Sequence, residues 1–257
     1  MSEIDQHPST TAAVPTETVA QLEKLGIAAG SYSFRPLDGL RKLIARRMSE
    51  SVRTAPHFSV SMRMEVDALM ARRADLNANA SVKVSVNDLL IKASGLALME
   101  CPQVNSGYTD AGIITHAHAD ISFAVSFAGG LVTPIIRHAE SKSVRAIADE
   151  TRDLADRGRR KRLRPEEYNG GSFTVTNLGM FGVSAFDAII NQPQGAILSI
   201  GAPERCYQLD GETPRVALVL TATLTSDHRV IDGASSAAWL NKFKHHVEDP
   251  LAWTASD

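Results

Sequence analysis

Ser226-Asp227-His228-Arg229-Val230-Ile231-Asp232-Gly233 places an imidazole, a carboxylate four residues on and a glycine directly after an apolar run. Upstream, Val216, Ala217, Leu218, Val219, Leu220, Ala222 and Leu224 read as a buried strand; downstream, Ala234, Ala237, Ala238, Leu240 and Phe243 have helical spacing. His228 therefore stands where a strand ends and a loop begins, a position at which a rigid scaffold presents reactive groups. A thiol with a pKa of about 8.5 is mostly protonated at neutral pH, and an imidazole within reach takes its proton as attack begins. His228 is the candidate base. Alone, His-x-x-x-Asp-Gly is a weak pattern, because a core histidine bonded to a backbone carbonyl carries the same signature.

Working outward, Phe58, Val60, Met62, Met64 and Val66 alternate as a half-buried strand does, and Leu40, Leu43, Ile44 and Met48 have helical spacing. Asp67 is read as the cap of a helix reaching about Asn79, and Ser85 or Asn87 as the cap of a second carrying Leu89, Leu90, Ala93, Leu96 and Met99. Apolar runs at Ile113-Ile114, Ile121 to Phe127 and Leu131 to Ile136, punctuated by Gly129-Gly130 and Pro134, predict strands. A charged helix from about Ser143 to Arg162 then precedes a turn at Gly170-Gly171. Residues 1–35, rich in Ser, Thr, Ala and acidic groups, predict a flexible lead with a short helix around Val19 to Leu25, leaving 36–257 as the folded domain. No internal repeat is visible. Periodicity alone supports an α/β or α+β class.

The chain has 257 residues, enough for one ample core, and a formal net charge of −2, which argues against a general nucleic-acid or membrane binder. Cys101 and Cys206 are too few for a disulfide framework and lack metal-ligand spacing. They are expected to be reduced packing residues, in keeping with a cytoplasmic protein, and no metal is expected. There is neither a signal-peptide pattern nor an apolar run approaching eighteen residues. Without a phosphate-cradling glycine loop, nucleotide hydrolysis and hydride transfer have no support.

Three further stretches narrow the reading: Gly170-Gly171-Ser172-Phe173-Thr174-Val175-Thr176-Asn177-Leu178-Gly179-Met180-Phe181-Gly182, Ile189-Ile190-Asn191-Gln192-Pro193-Gln194-Gly195-Ala196-Ile197-Leu198, and Asp227 to Ala234. In this order, with Arg41-Lys42-Leu43-Ile44-Ala45 and Pro56-His57-Phe58 ahead of them, they resemble the catalytic domain of the lipoamide acyltransferases of 2-oxo acid dehydrogenase complexes. The resemblance spans roughly residues 36 to 250. It implies a chloramphenicol acetyltransferase-like α/β fold, an α+β two-layer sandwich in which helices cover a mixed sheet. It also implies a homotrimer whose active sites are channels between subunits.

On that resemblance, His228 deprotonates the thiol of coenzyme A or of dihydrolipoamide, and the Thr176 hydroxyl of a neighbouring subunit stabilises the tetrahedral oxyanion. Such a donor is typically worth about 3 kcal/mol of barrier. Asp232 matches the carboxylate that holds the histidine loop; read on its own, it is a helix cap ahead of Ala234. Arg73, Ser85, Ser126 and Asn177 match coenzyme A contacts, although Ser126 stands where some relatives carry an acidic residue.

Two departures shape the expected partners. Lys24 is the only early lysine, and about 35 residues cannot hold a lipoyl domain. With the initiating Met1, the expectation is a stand-alone acyltransferase served in trans by a lipoyl-domain protein and a 2-oxo acid dehydrogenase. The polar end after Leu251 and Trp253, Thr254-Ala255-Ser256-Asp257, predicts a trimer, with a 24-subunit cube as the alternative. Arg157-Gly158-Arg159-Arg160-Lys161-Arg162-Leu163-Arg164 reads as a solvated helix end, or else as a docking patch for an acidic lipoyl domain. Two other functions stay open: a chloramphenicol acetyltransferase-type enzyme with a hydroxyl acceptor, which would carry His-His in place of Asp227-His228, and a non-catalytic scaffold.

Overall fold

The computed structural model describes residues 13–127 and 130–255. The chain divides into a unit ending at Arg46 and a main unit from Arg47. In the first, helix α1 (Thr16–Lys24) buries none of its residues. Asp38 then accepts the Arg41 N–H at 2.7 Å, capping the start of α2 (Gly39–Thr54), whose last two turns belong to the main unit. Residues 1–12 of the expected lead lie outside the described residues, as do Gly129 and the final two residues.

The main unit continues with β1 (His57–Glu65), α3 (Asp67–Asn77) and α4 (Val86–Glu100), then the short strands β2 (Ser106–Thr109) and β3 (Gly112–Thr115). Next come β4 (Ile121–Phe123), β5 (Val125–Phe127), β6 (Gly130–Val132), β7 (Ile135–Ile136) and α5 (Val144–Arg159). The second half carries β8 (Phe173–Asn177), β9 (Ala196–Ile200), β10 (Glu204–Asp210), the long β11 (Thr213–Asp227), α6 (Gly233–Glu248) and α7 (Leu251–Thr254).

Seven strands form one mixed sheet in the order β1-β11-β9-β8-β4-β7, with β10 paired to the first half of β11. β8 is parallel to both β4 and β9; the other pairings are antiparallel. Because side chains alternate across a strand, each strand contributes one row to each face. One face carries Met64, Leu220, Leu224, Leu198, Ile200, Phe173, Val175 and Ile121, buried in a single core with residues of α3 to α6. Trp239 of α6 is fully buried there, its ring 5.1 Å from Phe173 and stacked on Phe243 at 5.3 Å.

The opposite face is lined with hydroxyls. Thr176, Ser199, Thr223 and Ser61 fall in register across β8, β9, β11 and β1, and Ser61 bonds Thr223 at 2.8 Å while Ser59 bonds Thr225 at 3.0 Å. A mixed sheet covered by helices is the expected fold.

Several local expectations need correction. Asp67 does not cap α3; its carboxylate accepts the Leu218 N–H at 2.7 Å, pinning the helix start to β11. That helix stops at Asn77, whose amide brackets Val84 through both N–H and C=O. Ser85, not Asn87, caps α4 in a capping box with Asp88. The runs Ile121 to Phe127 and Leu131 to Ile136 each break in two, at Ala124 and before Pro134, which has no N–H to donate and instead accepts from Phe123. The charged helix ends at Arg159, not Arg162. Lys161 turns left-handed (φ 57), its N–H donating to Gly158 and the next to Arg157, which closes the helix.

Candidate active site

β11 delivers His228 past its last paired residue, Asp227, which lies opposite His57 of β1. The His228 N–H donates to the Pro56 carbonyl at 3.0 Å and its ring packs on Phe58 at 4.5 Å, leaving the imidazole exposed on the single chain. Around it the backbone is held tightly. Asp227 is 1% exposed and accepts from the N–H, Nε and Nη2 of Arg229, and the guanidinium lies 3.8 Å from the centre of the Tyr108 ring. The Asp227 carbonyl takes the N–H groups of Val230 and Ile231.

Asp232 caps α6, accepting the Ser235 N–H at 2.7 Å. That bond, more than the nearby His228, holds its carboxyl below the ordinary value. The cap reading of Asp232 is thus the local geometry.

His57 supports the same corner. Its Nε2 accepts the Ile190 N–H at 3.1 Å, so the ring proton sits on Nδ1, which donates to Ala55 O at 2.8 Å. It ties the 189–195 segment to the entrance of β1. Sequence reading met His57 only as part of a motif; its role depends on a partner more than a hundred residues away.

Thr176 lies elsewhere, on the hydroxyl face at the rim of a cleft of about 770 Å³. Ser85, Ser126, Asn177 and Thr176 all line this cleft, at the N-terminal end of α4. Arg73 does not; its Nε donates to the Val84 carbonyl at 3.0 Å, steadying the loop before Ser85. Sequence reading missed Lys83 and Arg152, and met Arg159 only in the basic cluster and Met180 and Phe181 only within a motif; these three cations line the same space, with Phe123, Met180 and Phe181 as walls. The Ser85–Asp88 capping box closes the end of α4, so it is the three cations that make the cleft suit an anionic ligand.

His228 and Thr176 are not brought together in one chain. Thr176 is level with Thr223 through Ser199, and His228 follows Thr223 by five residues. At about 3.3 Å per residue and two strand spacings of about 4.8 Å, the separation is roughly 15–20 Å.

Much of the basic cluster is matched internally. Arg157 pairs with Asp153 and Glu167, Arg159 with Asp156, and Arg164 with Glu166 and Glu167. The Arg157 bond pulls the Glu167 carboxyl down to about 2. This pairing favours the helix-end reading over a docking patch.

Residues 29–255 match the sequence model of the 2-oxoacid dehydrogenases acyltransferase (catalytic domain). The chain belongs to this acyltransferase family.

Among its relatives is the dihydrolipoyllysine-residue acetyltransferase component of the pyruvate dehydrogenase complex of Rhizobium meliloti, 48% identical over 86% of this chain and 51% of that protein. The corresponding component from Zymomonas mobilis is 45% identical over 84% of this chain and 50% of its own length. The chain thus spans about half the length of the curated relatives it matches. Among solved structures, the dihydrolipoamide acetyltransferase of Azotobacter vinelandii superposes with a TM-score of 0.84 at 30% identity, covering 94% of this chain and 98% of that one. In that enzyme a serine, a histidine 52 residues later and an asparagine four beyond it were studied for their role in the catalytic mechanism. A chloramphenicol acetyltransferase, 16% identical with a TM-score of 0.51 over 79% of this chain and 92% of that one, shares the fold. Among the described residues, no helix of this acyltransferase domain is long and apolar enough to cross a membrane.

Proposed function

We propose that residues 36–257 form a cytoplasmic acyltransferase that moves an acetyl group between coenzyme A and the dihydrolipoyl arm of a lipoyl domain. The carrying observation is a spacing. Thr176, His228 and Asp232 are separated by the same 52 and four residues as the serine, histidine and asparagine studied in the Azotobacter vinelandii enzyme. Threonine retains the hydroxyl of serine, and aspartate retains the capping oxygen of asparagine.

In this reading His228 takes the proton of the incoming thiol, and the thiolate attacks the thioester carbon. The oxyanion that forms is met by the Thr176 hydroxyl, and its collapse expels the second thiolate, which recovers the proton from the imidazolium. The Asp227–Arg229 clamp and the Phe58 ring orient His228, while Asp232 fixes the start of the next helix. Coenzyme A occupies the cleft, with Ser85, Ser126 and Asn177 along it and Lys83, Arg152 and Arg159 opposing its phosphates. Arg73 acts from behind, by holding the Val84 carbonyl.

Since the base and the hydroxyl stand roughly 15–20 Å apart in one chain, the site is completed by a second copy, and a homotrimer is the assembly proposed. Met180 and Phe181, 78% and 72% exposed at the cleft, form an apolar surface that association would cover. A 24-subunit cube is the larger alternative, and the matched structures include the cubic core of a pyruvate dehydrogenase complex. A 2-oxo acid dehydrogenase is the proposed source of acyl groups.

The test is transfer from acetyl-coenzyme A to dihydrolipoamide by the wild type and His228→Ala. Turnover that depends on His228 is expected. Turnover with a hydroxyl acceptor but not the dithiol, or none at all in a folded wild type, overturns the reading.

A further inference from the structure

Outside the acyl-transfer site, His118, His138 and Glu140 converge on the surface. One ring nitrogen from each imidazole and one carboxylate oxygen lie within 4.8 Å of one another. Sheet pairing makes this meeting obligatory. β4 and β7 are antiparallel neighbours, and Ala139 N–H donates to Ala119 O at 2.9 Å, which sets the loop before β4 against the turn after β7. The imidazole rings sit 3.9 Å apart, and His118 Nδ1 is 2.8 Å from a Glu140 oxygen.

The surroundings stake each group in place. The other Glu140 oxygen accepts the Ala119 N–H at 3.1 Å, and Lys92 Nζ donates to the Glu140 carbonyl at 2.7 Å. His138 has a left-handed backbone (φ 50), a conformation that costs a non-glycine residue energy. Its N–H is received by Asp120, which Arg137 clasps at 2.7 Å. A surface hydrogen bond accounts for His118 and Glu140 and leaves the left-handed His138, its ring tilted against that of His118, unexplained.

We propose that His118, His138 and Glu140 form a binding site for a borderline divalent ion of the zinc class, with two imidazoles and one carboxylate as ligands and a fourth position open. Tetrahedral ligands at about 2.1 Å from zinc stand roughly 3.4 Å from one another. The observed spread reaches that by small side-chain rotations, easily made because the His118 side chain is 53% exposed. Nitrogen and oxygen donors suit zinc, while a site for calcium would need more oxygens. The ion would fasten two loops at one end of the sheet.

The test is calorimetric titration of the EDTA-dialysed, tag-free chain with zinc, and the visible spectrum with cobalt in its place. One ion per chain and a tetrahedral cobalt spectrum are expected. Affinity should fall by roughly tenfold or more in His118→Gln and in His138→Asn, the latter chosen because asparagine tolerates the left-handed backbone. His246→Gln, at the separate His246–Glu100 pair, should bind as the wild type does. Both ligand variants should melt like the metal-free wild type, with zinc raising the melting temperature of the wild type alone. No uptake in excess zinc, or an affinity unchanged in either imidazole variant, overturns the proposal.

Discussion

Asp227 and Arg229 clamp the backbone on both sides of His228. The buried carboxylate receives the Arg229 main-chain N–H at 3.0 Å and its guanidinium at 2.6 Å, so the residue between them has little freedom. The same bond raises the already high pKa of Arg229.

Asp227→Ala is therefore expected to destabilise the domain by about 3 kcal/mol, because breaking one side of a buried pair leaves the other uncompensated. Denaturant unfolding measures this. Acyl transfer should fall further than the folded fraction does, since His228 loses its orientation.

Thr176→Ala and His228→Ala should each be nearly inactive, with losses on the order of 10²–10³ in turnover. Thr176→Ser should remain active. When the two inactive chains are unfolded together and refolded as mixed trimers, roughly a quarter of the interfaces regain both groups. Activity should return accordingly; a mixture as dead as its parents would rule out a site shared between neighbouring subunits.

At Asp232 the cap and the charge can be told apart. Asp232→Asn keeps a capping oxygen and is expected to preserve both the melting temperature and most of the activity, whereas Asp232→Ala should lower both. Thermal melts and steady-state rates on the two variants decide.

Glu167 governs part of the acid stability. Its folded pKa of about 2 lies below the ordinary carboxylate value of 4.5, so the unfolded chain takes up its proton first as pH falls. The stabilisation is present above about 4.5 and is lost progressively on the way down to about 2. Glu167→Gln should be less stable at neutral pH and show a flatter fall across this window, read as melting temperature against pH.

Gly95 lies where α4 passes the 139–140 turn. A Cβ there would meet the Glu140 backbone nitrogen at 2.9 Å and the Ala139 carbonyl carbon at 3.2 Å. Gly95→Ala, favourable by helix propensity, should instead destabilise by about 1–3 kcal/mol in chemical denaturation.

Much of the architecture was legible in the residues. The alternation of Phe58 to Met64 became β1, and the apolar run from Val216 to Leu224 became the middle of β11. Where local chemistry had two outlets, tertiary context chose. Asp67 bonded across to Leu218 instead of capping its helix, and Pro134 split an apolar run because it has no N–H to donate.

By itself the sequence determined the periodic elements, the strand-end histidine with its following cap, and the motif placing Thr176, because each is written in neighbours along the chain. Only the tertiary structure decided that Lys83, Arg152 and Arg159 share a cleft with Thr176, that His228 stands far from it in one chain, and that His118 meets His138 and Glu140. Those relations come from strand register and helix packing, which join residues of large sequence separation and leave no periodic trace in the sequence.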